Sequence, residues 1–477
     1  MMSTEEIHQY LDQTLGAEVV SKGLQNTQLI YEMCEDYDLL RPLRIPYMPL
    51  DYSEPNQELY NKYKNKMKQL EQFYLSEDGS ERHLAREVLK AIDKDEQYRT
   101  EEAYQEIDKC LEAVWNSSVK MNTHWAAYLL NVSDYIKIVW DKGNSLVGPS
   151  RGSGGGFILL NMLGITQINP LRENTKTFFW RFMNPERVSP LDIDIDIEGS
   201  KRGQVFKAFQ DQYGANRVSK VLTLRTEKSK SAIQTACRGL NYNNDIGLYL
   251  SSLIPSERGM LWTLKECFYG DEENDKKPIP MFVKLMTETY PDVWKVAVKI
   301  VGLINGVGSH AGGIIFVDEE FTESTALMKT NNGDVVTQYD LHMCEDVGLI
   351  KIDLLSIEAL DKIRVCLDLL MKYGYIEHDT LYNMYENTIG IYKIERNDEE
   401  MWKMLWDHKV LSLFQMEQDS GIRGITLTSP SSVDDLATIN SVMRLMASEK
   451  GAEQPLELYA KYKNNIDLWY NEMRQHK

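Results

Sequence analysis

The sequence predicts an α+β fold, because strand-like segments in the middle of the chain are flanked by long helical stretches. The segments DIDIDI at residues 192–197 and GLIKIDLL at residues 348–355 alternate between polar and apolar residues. This period of two is typical of strands with one buried face. Residues 356–374 instead repeat leucine and isoleucine at helical spacing. Segments with each period in one chain predict a mixture of strands and helices.

The N-terminal part is predicted to be mostly helical, with one interruption. A helical pattern reaches about Leu50, where prolines in RPLRIPYMPLDYSEP (41–55) indicate an extended connector. Helices are expected again between residues 56 and 140. The glycine-rich segment DKGNSLVGPSRGSGGG (141–156) ends them, and FILLNMLG (157–164) follows as a short apolar helix.

The central part is predicted to alternate between strands and helices. After the aspartate-rich strand, the region from Lys201 to about Leu240 is interpreted as basic and helical. A polar, mostly helical stretch from Asn241 to about Val298 indicates an inserted subdomain. Strand alternation resumes in GGIIFVDEE, DVVTQYD and VGLIKIDLL. The remainder of the chain is predicted to be helical.

Composition limits the classes of function. The 477 residues are enough for roughly two to four domains. A formal net charge of -19 argues against a protein that coats nucleic acid, so any nucleic-acid site must be local. The sequence contains no run of about 18 uncharged apolar residues, so it does not predict a membrane span. The six scattered cysteines lack metal-ligand spacing and are interpreted as free thiols.

Three aspartates share one face of the first strand: Asp192, Asp194 and Asp196. Crowded carboxylates raise one another's pKa and therefore favour a bound cation. A calcium loop of the EF-hand type needs a central glycine and a distal glutamate, which the isoleucine alternation does not offer. A solvent-facing edge strand stays open as an alternative. Among divalent cations, magnesium suits these hard oxygen ligands best.

A second strand offers a further carboxylate. Its alternation places Lys351 and Asp353 on one face. Two metals about 3.5–4 Å apart can clamp the oxygens of a phosphoryl transfer, and such sites take ligands from separate parts of a chain. Lys351 and Asp353 could therefore hold a phosphate and a metal together. The alternative interpretation is a surface ion pair on a strand.

The loop GPSRGSGGGF (148–157) precedes the short apolar helix. Its glycines would let backbone N–H groups approach an anion, and Arg151 and Ser153 add donors for phosphate oxygens. The spacing matches neither a P-loop nor a dinucleotide-binding motif. A flexible linker is an equally good interpretation of the loop taken alone.

Basic residues cluster after the aspartate strand. Lys228, Lys230 and Arg238 are candidates for a strip that tracks DNA phosphates, although a solvated helix face is an equal alternative. His310 lies among glycines in GVGSHAGGIIF and is a further candidate for DNA contact. A single histidine is more often a hydrogen-bonding structural residue than a ligand.

Six blocks of the sequence, in register, resemble the C family of bacterial replicative DNA polymerases, the DNA polymerase III alpha subunit. The blocks are RGSGGG, LGITQINPL, RFMNPERVSPLDIDIDI, SHAGGIIF, VTQYD followed by GLIKIDLL, and LFQMEQDSGIRG. The resemblance implies a polymerase-beta-like nucleotidyltransferase palm with an inserted helical thumb and helical fingers. It divides the chain into the end of a PHP domain with its connector (1–54), palm (55–238), thumb (239–300), palm (301–357) and the start of the fingers (358–477).

The resemblance also implies roles for individual residues. Asp192, Asp194 and Asp353 would be the catalytic ligands of two Mg²⁺ ions, with Mn²⁺ as a possible substitute. The loop residues that would hold the incoming dNTP are Arg151, Gly152 and Ser153. Lys351 and Arg187 are expected near the nucleotide or the primer terminus.

The family's remaining fingers, clamp-binding region and OB fold would follow residue 477. An excised fragment or a split polymerase, such as some phages encode, would account for this. A complementing chain that carries the missing regions is therefore an expected partner, beside primer-template DNA and dNTP.

The first functional hypothesis is a DNA-directed DNA polymerase that adds nucleotides to a primer 3′-OH with magnesium. Its expected location is the cytoplasm of a bacterial or phage-infected cell. The second is a non-catalytic scaffold or DNA-binding protein derived from such a polymerase, although a retired site has no physical need for its carboxylates. The third is a nucleotidyltransferase that acts on small molecules.

Overall fold

A computed structural model describes residues 2–34, 38–50, 52, 54–173, 177–186, 191–257, 260–445 and 453–475. Its N-terminal part is helical, as predicted. The helices are α1 (Thr4–Leu15), α2 (Ala17–Met33), α3 (Gln57–Tyr63), α4 (Leu70–Tyr74), α5 (Gly79–Lys94), α6 (Glu101–Met121), α7 (Trp125–Asp141) and α8 (Ile158–Met162). The proline-rich connector between α2 and α3 is extended in its described part and pairs with a later loop, since the backbone N–H of Arg44 donates to the carbonyl of Gly348 at 2.9 Å.

The central part carries the strands. In chain order it contains β1 (Asp194–Glu198), α9 (Arg202–Tyr213), β2 (Val218–Thr226), α10 (Ser229–Gly239), α11 (Asn244–Ser252), β3 (Ser256–Glu257), β4 (Met260–Leu261), α12 (Leu264–Tyr269), α13 (Pro280–Lys284), α14 (Pro291–Ile300), β5 (Ile304–Phe316), α15 (Phe321–Ser324), β6 (Leu327–Lys329), β7 (Val335–Thr337), α16 (Leu341–Asp346) and β8 (Lys351–Ile357).

The C-terminal part is helical again, as predicted. Its helices are α17 (Glu358–Lys372), α18 (Leu381–Ile389), α19 (Glu399–Trp406), α20 (Asp419–Thr428), α21 (Val433–Val442), α22 (Pro455–Lys463) and α23 (Ile466–Gln475). None of the described helices combines the length and the apolar character that a bilayer crossing requires.

Six strands form one mixed sheet in the order β1-β8-β5-β2-β7-β6, and β3 pairs with β4 in a separate hairpin. β1 runs parallel to β8, whereas β5 is antiparallel to both β8 and β2. This arrangement confirms the predicted α+β class. It also joins two strands that are far apart in the sequence at one edge of the sheet.

The sheet is covered by apolar residues on both faces. One face shares the largest core cluster with helices α3–α9, α17 and α18, and Ile314 belongs to this cluster. The neighbouring Ile315 points to the other face and packs with Phe321 and Cys344. Alternate side chains of one strand thus enter two different cores.

The prediction of one basic helical region from Lys201 to Leu240 is wrong, because β2 lies inside it. β2 is an interior strand between β5 and β7 and is buried on both faces over Val218–Leu222. A doubly buried strand shows no polar and apolar alternation, so its pattern resembles a short apolar helix segment. Lys220 belongs to this strand. It forms an ion pair with Asp334 at 2.8 Å and is not part of a basic helix face.

A helical unit lies between β2 and β5 in the sequence and has an apolar cluster of its own. The cluster joins Leu250, Leu264, Phe282 and Val293 and is separate from the clusters of the sheet. It also includes residues of α10 such as Ile233. The unit therefore reaches back beyond residue 239, where the sequence prediction begins the inserted segment.

Candidate active site

Two parallel strands bring three aspartates together. Asp194 of β1 and Asp353 of β8 are direct partners in the register of the two strands. Asp192 lies just before β1, and one carboxylate oxygen from each of the three residues lies within 4.8 Å of the others. Asp192 is exposed, Asp194 is half-buried and Asp353 is buried. The predicted meeting of these carboxylates is thus present in the structure.

Apolar packing fixes the face that the carboxylates occupy. Ile193, Ile195 and Ile197 are all buried, so the aspartates between them must point to the opposite side. The entry to the strand is also anchored, because the hydroxyl of Tyr128 donates to the carbonyl of Leu191 at 3.3 Å. The period of two in the sequence is therefore the direct cause of the acidic face.

The end of β1 is tied to the helix that follows β8. Asp361 of α17 accepts hydrogen bonds from the backbone N–H groups of Gly199 at 2.9 Å and Ser200 at 3.1 Å. The buried Glu198 accepts from the backbone of Leu146 at 2.6 Å and from Arg364 of α17 at 3.3 Å. These contacts hold the two aspartate-bearing strands in a fixed relation.

Lys351 neutralises part of the acidic cluster. Its Nζ lies 2.5 Å from Asp353 Oδ2 and 3.4 Å from Asp192 Oδ1. Burial lowers the pKa of Lys351, but the hydrogen bonds and charges of Asp353 and Asp192 outweigh this effect and leave the pKa raised. Burial raises the pKa of Asp194, and the charges of Asp192 and Asp353 raise it further against the opposing influence of Lys351.

The cluster has the chemistry of a divalent-metal site. Asp353 Oδ1 is buried and has no hydrogen-bond partner among the described residues. A buried, unpartnered carboxylate oxygen is costly, and a cation would satisfy it. Because every donor atom is a carboxylate oxygen, the set suits hard cations such as Mg²⁺ or Mn²⁺. The residues present therefore fit a metal.

The glycine loop lies beside this cluster. Its beginning pairs with β1, since Val147 bridges to Ile197 and the backbone N–H of Gly148 donates to the carbonyl of Asp196 at 2.9 Å. Residues 152–156 then form one turn of 3-10 helix before α8. Gly152 and Ser153 line a cavity of about 230 Å³ together with Asp192 and Asp194. The loop and the acidic cluster thus share one cleft.

The third aspartate of the strand has a different partner. Asp196 Oδ1 accepts a hydrogen bond from Arg151 Nε at 2.7 Å. The expectation that all three strand aspartates crowd around one cation is therefore wrong, because the glycine loop supplies an arginine to the last of them. Nothing in the sequence signals this pair, since the return of the loop to β1 depends on the tertiary fold.

The predicted DNA-binding residues lie on two elements. Lys228 precedes α10, and Lys230 and Arg238 lie within it; Lys228 and Arg238 are exposed and Lys230 is half-buried. His310 is half-buried within β5, which begins earlier than the sequence pattern predicts. Arg187 lies outside the described residues.

His310 has a defined orientation next to the acidic cluster. Its Nδ1 accepts hydrogen bonds from the backbone N–H groups of Gly313 at 2.7 Å and Gly312 at 3.2 Å, which assigns the ring proton of neutral His310 to Nε2. Gly313 is the register partner of Asp353. The histidine therefore stands one strand away from the buried carboxylate, and its Nε2 has no hydrogen-bond partner among the described residues.

Comparison with protein families decides the relationship. Residues 67–356 match the model of the bacterial DNA polymerase III alpha NTPase domain, and residues 373–476 match the model of the bacterial DNA polymerase III alpha subunit finger domain. The chain belongs to the bacterial DNA polymerase III alpha family. The first match covers β1, the glycine loop and all of β8 except its last residue, so Asp192, Asp194 and Asp353 lie within the family domain.

Relatives of this DNA polymerase III alpha family chain occur in bacteria and in a phage. The chain is 40% identical over 491 aligned residues to the probable DNA polymerase YorL of Bacillus subtilis and, equally, to the DNA-directed DNA polymerase of Bacillus phage SPbeta. It is 27% identical over 336 residues to the DNA polymerase III subunit alpha of Aquifex aeolicus. The alignments cover 100% and 67% of this chain but only 37% and 28% of the relatives. The chain thus spans between 28% and 37% of the length of these relatives.

Proposed function

We propose that the chain is the catalytic part of a DNA-directed DNA polymerase, which joins a dNTP to the 3′-OH of a primer. The observation that carries the proposal is the meeting of Asp192, Asp194 and Asp353 within 4.8 Å across paired strands of the family domain. Three carboxylates from separated segments are the ligand set that a phosphoryl-transfer metal site needs.

The three aspartates would hold two Mg²⁺ ions, for which Mn²⁺ could substitute. When bound, these ions would favour ionisation of the primer hydroxyl and neutralise charge on the transferring phosphate and the leaving pyrophosphate. The Oδ1 of Asp353 supports this assignment, because a buried carboxylate oxygen with no hydrogen-bond partner among the described residues is costly without a cation.

The neighbouring residues would bind the triphosphate. Gly152 and Ser153 line the cleft beside Asp192 and Asp194, where backbone N–H groups and a hydroxyl could donate to phosphate oxygens. Arg151 would add a charged fork to the same anion. Lys351 already lies among the carboxylates and could move to a phosphate when a cation takes its place. Arg187 is proposed for the nucleotide or primer terminus on the family resemblance alone.

Primer-template DNA would contact the basic residues around α10 and the histidine of β5. Lys228, Lys230 and Arg238 provide positive charge on a chain with a net charge of -19. His310 would donate from Nε2 toward the primer side of the acidic cluster, because its Nδ1 is already occupied by backbone donors.

The elements divide naturally into the parts of a polymerase. We assign residues 55–238 and 301–357, which contain the sheet, to the palm, although α10 at the end of the first range packs into the apolar cluster of the following helical unit. The helical unit at 239–300 is assigned to the thumb, because it is inserted between two palm strands and has its own apolar cluster. Residues 358–477 would begin the fingers, in agreement with the finger-domain match at 373–476.

A second polypeptide is proposed as a partner on the family resemblance. It would be a complementing chain with the remaining fingers and the clamp-binding region. The rival function is a non-catalytic DNA-binding or scaffold protein derived from such a polymerase.

Primer extension tests the proposal. We expect extension of a labelled primer with Mg²⁺ and four dNTPs by the chain, alone or mixed with a candidate C-terminal partner. Asp194→Ala should abolish extension, whereas Asp211→Ala, on the exposed surface of α9, should not. Extension that survives Asp194→Ala would remove the metal role, and DNA binding without extension in any mixture would favour the scaffold. Absence of salt-sensitive DNA binding would instead favour a small-molecule nucleotidyltransferase.

A further inference from the structure

The third aspartate of β1 is engaged by the glycine loop rather than by the acidic cluster. Asp196 Oδ1 lies 2.7 Å from Arg151 Nε, and the side chains are only 16% and 27% exposed. The group of described acidic residues that could hold a metal contains Asp192, Asp194 and Asp353 but not Asp196. The shielded ion pair therefore needs a different explanation from the metal site.

The contact leaves the functional end of the arginine available. It uses Nε alone, and the terminal Nη1 and Nη2 of Arg151 make no hydrogen bond or ion pair with any described residue. A guanidinium carries five N–H donors in a planar fork that matches phosphate oxygens. A carboxylate on the Nε side fixes the plane while the two terminal nitrogens stay free for an anion.

Backbone contacts hold the same loop to the same residue. The N–H of Gly148 donates to the carbonyl of Asp196, and a Cβ at Gly148 would lie 2.7 Å from the Cβ of Asp196. Asp196 therefore contacts the loop at two points. Its carbonyl accepts a hydrogen bond from Gly148, and its carboxylate accepts one from Arg151. A loop anchored in this way cannot move Arg151 without breaking contacts to β1.

An aromatic ring also lies near the guanidinium. The Cζ of Arg151 lies 6.0 Å from the ring centroid of Phe414. Phe414 belongs to the segment that matches the finger-domain model. The guanidinium thus lies within hydrogen-bond distance of a palm carboxylate and at the outer limit of a cation–π contact with a finger aromatic ring.

We propose that Asp196 is a positioning residue, which holds Arg151 so that its terminal nitrogens face the triphosphate of the incoming dNTP. This inference rests on the proposed function. An unconstrained arginine side chain loses conformational entropy when it binds phosphate. Orientation of the side chain before binding removes that cost. The third aspartate of DIDIDI therefore promotes nucleotide binding by orienting the arginine, and it does not bind the metal.

Calorimetric titration with dATP in the presence of Mg²⁺ tests the pair directly. We expect Asp196→Ala to weaken dATP binding about tenfold, the size of one charge-assisted hydrogen bond. Arg151→Gln should weaken it at least as much, and the double variant should equal Arg151→Gln within about twofold, because coupled residues are not additive. Asp196→Asn keeps an acceptor without the charge and should fall between the wild type and Asp196→Ala. Asp211→Ala is the matched control and should bind as the wild type does.

Binding of Mn²⁺ alone, followed by electron paramagnetic resonance, separates the two roles of an aspartate. Asp196→Ala should keep wild-type Mn²⁺ affinity within about twofold, whereas Asp194→Ala should lose it. Equal loss in both variants would overturn the proposal and make Asp196 a metal ligand. Wild-type affinity of Asp196→Ala for dATP would overturn this inference and leave the proposed function unaffected. Absence of saturable dATP binding by the wild type would overturn the proposed function together with this inference.

Discussion

Asp194 and Asp353 face each other as direct partners in two parallel strands, with the buried Gly313 on the next strand beside Asp353. This pairing converts two separate sequence patterns into one acidic site. It also places Lys351, which is two positions before Asp353, between the carboxylates of Asp353 and Asp192.

Replacement of Lys351 should strengthen metal binding. Lys351→Met removes a positive charge that lies 2.5 Å from Asp353 Oδ2, so Mn²⁺ should bind up to about tenfold more tightly. Titration calorimetry with Mn²⁺ measures the change. Lys362→Met, on the exposed side of α17, is the control and should leave the affinity unchanged. Weaker Mn²⁺ binding by Lys351→Met would show that the ammonium group supports the site rather than competing with the ion.

A methyl group on Gly148 should displace the glycine loop. Its Cβ would lie 2.7 Å from the Cβ of Asp196, so Gly148→Ala should reduce the free energy of unfolding by about 1–3 kcal/mol. It should also weaken dATP binding, because Arg151 lies on the displaced segment. Gly203→Ala in α9 has no atom within 4 Å of the new Cβ and should be neutral or stabilising. Chemical denaturation and dATP titration of both variants check this prediction. Equal free energies of unfolding for Gly148→Ala and Gly203→Ala would contradict it.

Removal of the cap of α5 should have a pH-dependent cost. Asp78 accepts hydrogen bonds from the backbone of Ser80 at 2.8 Å and Glu81 at 3.2 Å, and from Tyr47 at 2.7 Å. Burial raises the pKa of Asp78, but a hydrogen bond from the hydroxyl of Ser80, together with those from Tyr47 and the backbone, outweighs it and leaves the pKa below its ordinary value of 3.8. A lowered pKa in the folded state means that the ionised cap stabilises the protein above the ordinary value and loses this effect as the pH falls through the folded value.

Asp78→Ala should therefore cost about 1–2 kcal/mol of unfolding free energy at pH 5 and less at pH 3. Asn56 caps α3 through an uncharged side chain, with its Oδ1 3.1 Å from the backbone nitrogen of Leu59. Asn56→Ala is the matched control, and its cost should not change with the ionisation of the capping residue. Urea denaturation at both pH values measures the four differences. An equal pH dependence in the two variants would argue against ionisation of Asp78 as its cause.

The basic residues of α10 should govern the salt dependence of DNA binding. If Lys230 and Arg238 each contact one phosphate, the double variant Lys230→Gln with Arg238→Gln should reduce the slope of log K against log salt by about two. Fluorescence anisotropy with primer-template DNA over a range of NaCl concentrations measures the slope. Lys109→Gln on α6 serves as the control. An unchanged slope would place the DNA elsewhere on the molecule.

Local strand patterns could be predicted from the sequence where one face is buried. β1 shows this most clearly, because its buried isoleucines alternate with aspartates. β2 could not be found in the same way, since it is an interior strand with both faces covered and its Lys220 is neutralised by Asp334 from a distant loop. Pattern alone distinguishes such a strand poorly from a helix.

The site was predictable in composition but not in its internal pairing. The approach of Asp353 to Asp194 depends on the strand order of the sheet, which the two isolated patterns do not specify, and the family resemblance supplied it. The Asp196–Arg151 pair could not be predicted, because it requires the glycine loop to return to β1 as a bridge at Val147. Residue types thus predicted an acidic site suited to a cation, whereas tertiary contacts determine which partner each carboxylate contacts.

Anomalous diffraction from crystals soaked in Mn²⁺, recorded at the manganese edge, tests the central claim most directly. The account predicts an anomalous peak coordinated by carboxylate oxygens of Asp192, Asp194 and Asp353, with Lys351 moved away from Asp353. Asp353→Asn crystals should lose or weaken that peak. A protein that binds Mn²⁺ only elsewhere, with Lys351 still seated between the carboxylates, would contradict the account.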